Sequence, residues 1–363
     1  MSPRSPRTVG VDAIASHPDR LDVRSPSEFA DDHVPGALSC PVLDDEERAR
    51  VGTLHAQASA FEAKKVGAAL VSRHIATILE TVARDKPRDW APLVYCWRGG
   101  KRSGSLAHVL NEIGFPAVQL EGGYRTWRRH VVARLATLPA AFRYRVVCGV
   151  TGSGKSRLLA ALESEGAQVL DLEDLANHRS SVLGAIPGLA QPSQKAFDTL
   201  VWDRLRRFDP ARPVFVESES RKVGNVTVPV AVMDAMRSSG NCLNLELSDP
   251  ERVALLMEDY AYFVRNTDAF CARLDALTEI RGKQVVQGWK TSVQSGAIES
   301  VVQELLIQHY DPVYLQSMQR NFKRYAQART LSPEDRSSSA MDALAVGLVN
   351  QVTPTLHHPT RPG

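Results

Sequence analysis

Cysteine is scarce. The 363-residue chain has five, at positions 40, 96, 148, 242 and 271, and no two form a Cys-x-x-Cys pair. That scatter argues against a zinc site or a disulfide framework and points to a reducing cytoplasm. Long apolar runs are missing too. None approaches the roughly 18 residues that cross a bilayer, so no membrane span is expected. The N-terminal stretch MSPRSPRTVG has no apolar core of the kind a secretory signal needs. Neither charge dominates: 44 basic against 41 acidic residues leave +3. This excludes a uniformly cationic nucleic-acid coat but leaves room for a local basic patch. No internal repeat is found. What is there is an ordinary globular composition, 43% apolar and 23% charged. The chain is long enough for two domains with cores that need no cross-links.

Short apolar runs alternate with helical patterns along the first stretch. A strand is expected around Leu21 to Val23. Over 61–83, Ala69, Leu70, Ile75, Ile78, Leu79 and Val82 recur along one helical stripe. Leu93, Val94 and Tyr95 read as a buried strand ending at Cys96. A helix over 104–113 stops at Gly114, with Pro116 beyond, and 118–120 forms another strand. The linker-like ATLPAAFRYR precedes a second alternation, with strands at 144–150, 167–172 and 213–217 and a helix at 155–163. Such alternation gives parallel sheets. Stretches 253–263 and 298–314 read as helical. The expected fold class is α/β: a parallel-sheet domain over 1–135, then a second α/β domain with a helical C-terminal part over 136–330. A poorly ordered tail over 331–363, mixing Ser, Pro, Thr and His around one apolar patch, completes the chain.

Two loops carry chemistry. In Cys96-Trp97-Arg98-Gly99-Gly100-Lys101-Arg102-Ser103 a cysteine ends a parallel strand and glycines lead into a helix. Backbone N–H groups converge there, and the positive end of the helix dipole adds to them, so the turn stabilises an anion. With Arg98, Lys101 and Arg102 nearby, the thiol is expected to titrate below its usual value of about 8.5. It would serve as a nucleophile or hold a persulfide-type anion. The second loop, Gly149-Val150-Thr151-Gly152-Ser153-Gly154-Lys155-Ser156, matches G-x-x-x-x-G-K-S between an apolar strand and an amphipathic helix. Gly149, Gly152, Ser153 and Gly154 bring backbone amides to phosphate oxygens, Lys155 reaches the terminal phosphates, and Ser156 can ligate Mg²⁺. The pattern specifies a di- or triphosphate and leaves the nucleotide open. A metal-linked carboxylate should end a nearby strand. Asp171 and Glu173 follow one candidate strand, Glu217 and Glu219 another; Asp171 and Glu217 are preferred. No metal site is certain, and no tightly bound cofactor is expected.

The first loop resembles the rhodanese active site. Asp22-Val23-Arg24 with Glu28-Phe29, His33-Val34-Pro35-Gly36-Ala37, and Glu121-Gly122-Gly123-Tyr124 with Trp127 are similar to that family's flanking segments. The Cys-x-x-x-x-x-Arg spacing from Cys96 to Arg102 is shared by phosphatase relatives, so the loop alone leaves a phosphatase open. A rhodanese-like domain ahead of a P-loop NTPase-like domain resembles the tRNA 2-selenouridine synthase family over about 12–325. Similar to that family as well are Asp171-Leu172-Glu173 with Asn177-His178-Arg179, Gln191-Pro192-Ser193-Gln194-Lys195, and Glu217-Ser218-Glu219-Ser220-Arg221-Lys222. His55, in place of a tyrosine, and Ser180-Ser181, in place of a glycine, depart from it.

The resemblance implies a transferase acting on 2-thiouridine at the wobble position of tRNA. It would alkylate the sulfur from geranyl diphosphate and then exchange it for selenium from selenophosphate. The P-loop would hold the departing diphosphate, with Mg²⁺ a candidate ion. Cys96 would act in the selenium step as nucleophile or perselenide carrier. RNA binding needs cationic surface, and from 96 to 145 nine basic residues stand against two acidic ones. Arg125, Arg128 and Arg129 are candidates for tRNA phosphates. Trp97, Tyr124 and Trp127 are candidates for stacking on anticodon-loop bases, with core packing weighed for Trp127 above all. Two other readings stay open at this stage: an ATP-dependent rhodanese-type sulfurtransferase acting on a small molecule or carrier protein, and a non-catalytic RNA-binding module.

Overall fold

The structure is a computed structural model and describes residues 7–179 and 184–351. Ser180-Ser181 and the end of the chain lie outside the described residues. Two compact units form, Met1–Arg134 with Pro192–Asp203, and Leu135–Gln191 with Arg204–Gly363. The chain therefore returns to the first unit after starting the second.

The first unit is built on a five-stranded, all-parallel sheet in the order Thr8–Val9, Val118–Leu120, Leu93–Tyr95, Arg20–Asp22, Ala37–Ser39. The inner strands Leu93–Tyr95 and Val118–Leu120 are short and buried throughout, so they read as mostly apolar runs rather than alternations, whereas Thr8–Val9 and Ala37–Ser39 at the edges are partly exposed. Leu21, Val94, Leu106, Leu110 and Ile75 share the core. The helix Lys101–Ile113 starts at Gly100, with φ 71°, and ends at Gly114, with φ 113°; both occupy the left-handed region that glycine tolerates. Ala60–Ala83 forms one continuous helical run that is long and apolar enough, by length and composition, to cross a membrane, contrary to the expectation that no such stretch exists. Its stripe of Leu70, Val71, Ile75 and Ile78 packs into the sheet core.

The second unit carries another all-parallel sheet, in the order Arg329–Leu331, Asn241–Leu245, Tyr144–Cys148, Val214–Glu217, Gln168–Leu170. The central strand delivers the chain to the Lys155 loop, and the helix Lys155–Ser164 packs Leu158, Leu159 and Leu162 back onto the sheet. A helical part follows, with its own core of Phe263, Phe270, Leu274, Trp289, Val293 and Leu305. The loosely ordered tail expected from 331 onward is corrected over its described part. Leu331 ends an edge strand, and the helix Ser338–Asn350 buries Met341, Ala345 and Leu348 in the sheet core. Its apolar patch is an amphipathic helical face, and burying that face outweighs the tail-like composition around it.

Candidate functional site

In the first unit, the strand Leu93–Tyr95 ends at a buried Cys96. The Ser103 hydroxyl donates to its Sγ at 3.4 Å, and Gln119 Nε2 donates to Ser103 Oγ at 2.9 Å and to the Gly100 carbonyl at 3.0 Å. These neutral bonds fix the loop from the neighbouring strand. The closing turn presses on it from the other side: Tyr124 N–H donates to Cys96 O at 2.8 Å and Arg125 N–H to Trp97 O at 3.0 Å. Gly123 has φ 58°, and a Cβ there would lie 2.3 Å from Cys96 O, so close approach requires glycine.

The cations around this loop divide. Arg98, Lys101 and Arg125 are exposed. Arg102 donates to Glu28 at 3.0 Å, and Arg48 pairs with the same carboxylate; Glu28 is held below its ordinary pKa because these cations outweigh its burial. Arg128 is tied to Asp198 and to the Lys195 carbonyl on the returning segment. Arg129 is exposed, with a bond to Thr126. Of the three arginines expected to meet RNA, Arg125 and Arg129 therefore face solvent, and Arg128 serves packing. The aromatic candidates sort the same way. Tyr124 and Trp127 are each only 2% exposed. Tyr124 donates to Asp32 at 2.8 Å beneath the Arg24 guanidinium, and Trp127 packs edge-on against Trp202. Neither can receive a base. Trp97, 38% exposed and stacked on Tyr124, can. It lines a cavity of about 380 Å³ with Arg102, Arg48, Glu28, Asp31 and Lys195.

In the second unit, Gly149, Gly152 and Gly154 all have positive φ. A Cβ on Gly149 would meet Leu245 O at 2.6 Å, and one on Gly154 would meet Met341 at 2.7 Å. The loop wraps a buried Ser153. Lys155 Nζ donates to the Gly149 carbonyl at 2.7 Å and lies over the Tyr314 ring. The Tyr314 hydroxyl accepts from Gly149 N–H at 2.7 Å and shares a 2.8 Å bond with Ser218. Arg252, buried, donates twice to the Thr151 carbonyl while pairing with Asp311 and Asp249. The helical part thus braces the phosphate loop, a feature sequence reasoning missed. Over the loop lies a cavity of about 840 Å³, whose walls include Lys155, Ser156, Arg157, Glu173, Arg179 and Glu219.

The expected carboxylates take unequal places. Asp171 caps the short helix Leu172–Leu175 by accepting from Asp174 N–H at 2.8 Å, and burial pushes its carboxyl up to about 6. Glu217 is buried; Oε1 accepts from Leu172 and Glu173 N–H at 2.6 and 3.0 Å, and among the described residues Oε2 has no hydrogen-bond partner. Burial first, then the charges of Asp171, Glu219 and Glu173, hold its carboxyl well above the ordinary range. The carboxylate that meets Ser156 is Glu173, 3.3 Å from the hydroxyl. Sequence reasoning placed it beside Asp171 but preferred the latter. Ser156 and Glu173 are hard oxygen donors side by side, a pair that fits Mg²⁺. A separate trio, Asp44, Glu47 and His74, has ligand atoms within 4.8 Å of one another; a helix capping box and a His–Glu pair account for it.

Two family models match the chain: the rhodanese-like domain over residues 12–130 and the tRNA 2-selenouridine synthase AAA domain over residues 142–287. The chain is 32% identical over 344 residues to a tRNA 2-selenouridine synthase of Cupriavidus necator, a match spanning 85% of this chain and 89% of that protein. With the synthase of Aeromonas salmonicida it shares 31% over 324 residues, 81% and 86% of the two chains. With that of Nitrosomonas europaea it shares 29% over 354 residues, 83% and 89%.

Proposed function

Because the chain belongs to the tRNA 2-selenouridine synthase family, a family of tRNA-modifying enzymes, we propose that it exchanges sulfur for selenium in 2-thiouridine at the tRNA wobble position by two successive transfers. The observation that carries this reading is the presence in one chain of a G-x-x-x-x-G-K-S loop opening a helix through Gly154 and a buried cysteine in a tight turn that opens another helix through Gly100.

In the first transfer the thiocarbonyl sulfur attacks C1 of geranyl diphosphate. A C–S bond forms, the allylic C–O bond breaks, pyrophosphate leaves and the uracil N3 proton is released. The loop amides and Lys155 stabilise the charge that grows on the leaving oxygen, once Lys155 exchanges its bond to the Gly149 carbonyl for a phosphate. Ser156 and Glu173 would hold Mg²⁺, which when bound neutralises diphosphate charge. In the second transfer a selenium nucleophile derived from selenophosphate adds at C2. Sulfur departs as geranylthiol, a far better leaving group than a thiocarbonyl sulfur, and water cleaves the P–Se bond to release phosphate. The Cys96 turn stabilises the chalcogen anion in that exchange. Arg125 and Arg129 meet tRNA phosphates, and Trp97 offers a face to a base. The setting is the cytoplasm, where tRNA is available.

The test is a time course with purified protein, 2-thiouridine tRNA, geranyl diphosphate and selenophosphate, read by mass spectrometry of nucleosides. S-geranyl-2-thiouridine should rise first and be consumed as 2-selenouridine appears. ATP hydrolysis with sulfur transfer and no geranylated nucleoside would instead assign the chain to sulfurtransferase chemistry.

A further inference from the structure

The cavity over the Lys155 loop has an apolar side recess. Thr151, Leu256, Tyr260 and Tyr310 line both spaces, so one continues into the other. Beyond them the recess is walled by side chains that include Met257, Phe263, Phe270, Ile298, Val302 and Leu305. It has a volume of about 60 Å³, and among the described residues no charged or amide side chain lines it. A nucleobase placed there would leave its polar edge without partners, a severe penalty in an apolar site. The larger cavity, by contrast, is lined by Lys155, Arg157, Arg179 and Lys222 together with Glu173, Glu219 and Asp259, groups suited to a polyanion with an accompanying cation. One ligand that satisfies both spaces has a polyanionic head and a hydrocarbon tail.

We infer that this recess receives the far end of the prenyl chain and limits its length, an inference that rests on the reading of the Lys155 loop as a prenyl-diphosphate site. The recess is well under half the size of the ~150 Å³ apolar cavity that takes up a benzene ring, room for the branched end of a chain but not for a further isoprene unit. The head sits against Lys155. The first part of the tail runs past Leu256 and Tyr260, and its end meets Val302 and Phe270. Five carbons stop short of the recess, and fifteen overrun it. The helical part of the second unit thereby becomes the determinant of donor specificity.

Two variants test this on the full-length protein with dimethylallyl, geranyl and farnesyl diphosphates as donors and pyrophosphate as a head-only ligand. Val302→Phe fills the recess. It should lower kcat/KM for geranyl diphosphate by about tenfold or more while changing dimethylallyl transfer and pyrophosphate affinity by less than about twofold. Phe270→Leu deepens it and should raise farnesyl use relative to geranyl by about tenfold, a gain that misfolding cannot mimic. Unchanged donor ratios in both variants, with pyrophosphate affinity intact, overturn the inference. If the wild type transfers no prenyl group, direct binding decides separately. Geranyl diphosphate binding tighter than pyrophosphate, with that advantage lost in Val302→Phe, retains the recess and rejects the transfer chemistry; no advantage in the wild type rejects the recess.

Discussion

The two loops use one backbone device with opposite surroundings. Each follows a buried parallel strand and enters its helix through a left-handed glycine (Gly100 at 71°, Gly154 at 90°), at the positive end of the helix dipole. Around Cys96 the supporting groups are neutral, Ser103 and Gln119, and the nearby Glu28 is already matched by Arg102 and Arg48. Around Lys155 the supports are Tyr314 and the ion-paired Arg252, and a cluster of Asp171, Glu173, Glu217 and Glu219 gathers at the strand ends. On the proposed reading, each turn stabilises an anion. On that reading the neighbours select which: a soft, singly charged chalcogen in one unit, and a diphosphate with a hard cation in the other.

The sharpest way to break this contrast is at the cation. Lys155→Ala should reduce geranyl transfer by roughly 10²–10³-fold, while pre-geranylated tRNA still gains selenium at close to the wild-type rate. Losing both steps equally would mean that the loops do not divide the chemistry. Next in size is the glycine wedge. Gly123→Ala forces a Cβ toward Cys96 O and strains a positive φ, and should destabilise the first unit by about 2 kcal/mol. Thermal unfolding should show a drop of a few degrees, and selenation should suffer while geranyl transfer stays.

The carboxylate cluster gives a smaller effect of the opposite sign. Burial raises Asp171 and Glu217 in the folded state, so the unfolded chain ionises them more readily. Their contribution to stability is full below the unfolded Asp value of 3.8 and is lost as pH climbs through about 6 for Asp171 and higher for Glu217. Glu217→Gln keeps an acceptor for the Leu172 and Glu173 amides. It should raise the Tm at pH 8 by about 2 °C or more, with the gain shrinking toward pH 5; a gain independent of pH would contradict the proposed ionisation. Smallest is the RNA surface. Arg125→Ala with Arg129→Ala should weaken tRNA binding and reduce the salt-dependence slope by about 2, with geranyl diphosphate affinity unchanged. Arg128→Ala should instead lower the Tm through its lost pair with Asp198.

Much of this contrast was legible in the residues. Glycines marked both loops and the stop at Gly114, and the strands at 93–95 and 118–120 stood out because they are wholly apolar or nearly so. Thr8–Val9 and Ala37–Ser39 did not, since two or three residues carry no period. Asn241–Leu245 hid behind its two asparagines, one exposed at the strand start. The braces were invisible for a different reason. Tyr314 lies 165 residues from the Gly149 amide it accepts from, and Arg252 lies 101 from Thr151; local patterning carries no trace of such partners. Gln119 offered one clue, a polar residue in the middle of a buried strand. Trp127, read chiefly as a core residue, is one, while Tyr124 stayed open between platform and core because an aromatic beside a catalytic loop has the same sequence signature whether it faces solvent or the core.

The division of labour is tested most directly by the nucleosides that Cys96→Ser leaves behind. With geranyl diphosphate and selenophosphate both supplied, this variant should accumulate S-geranyl-2-thiouridine and form almost no 2-selenouridine. Selenouridine formed at the wild-type rate, or a variant that no longer geranylates, would contradict the assignment of the two transfers to two separate loops.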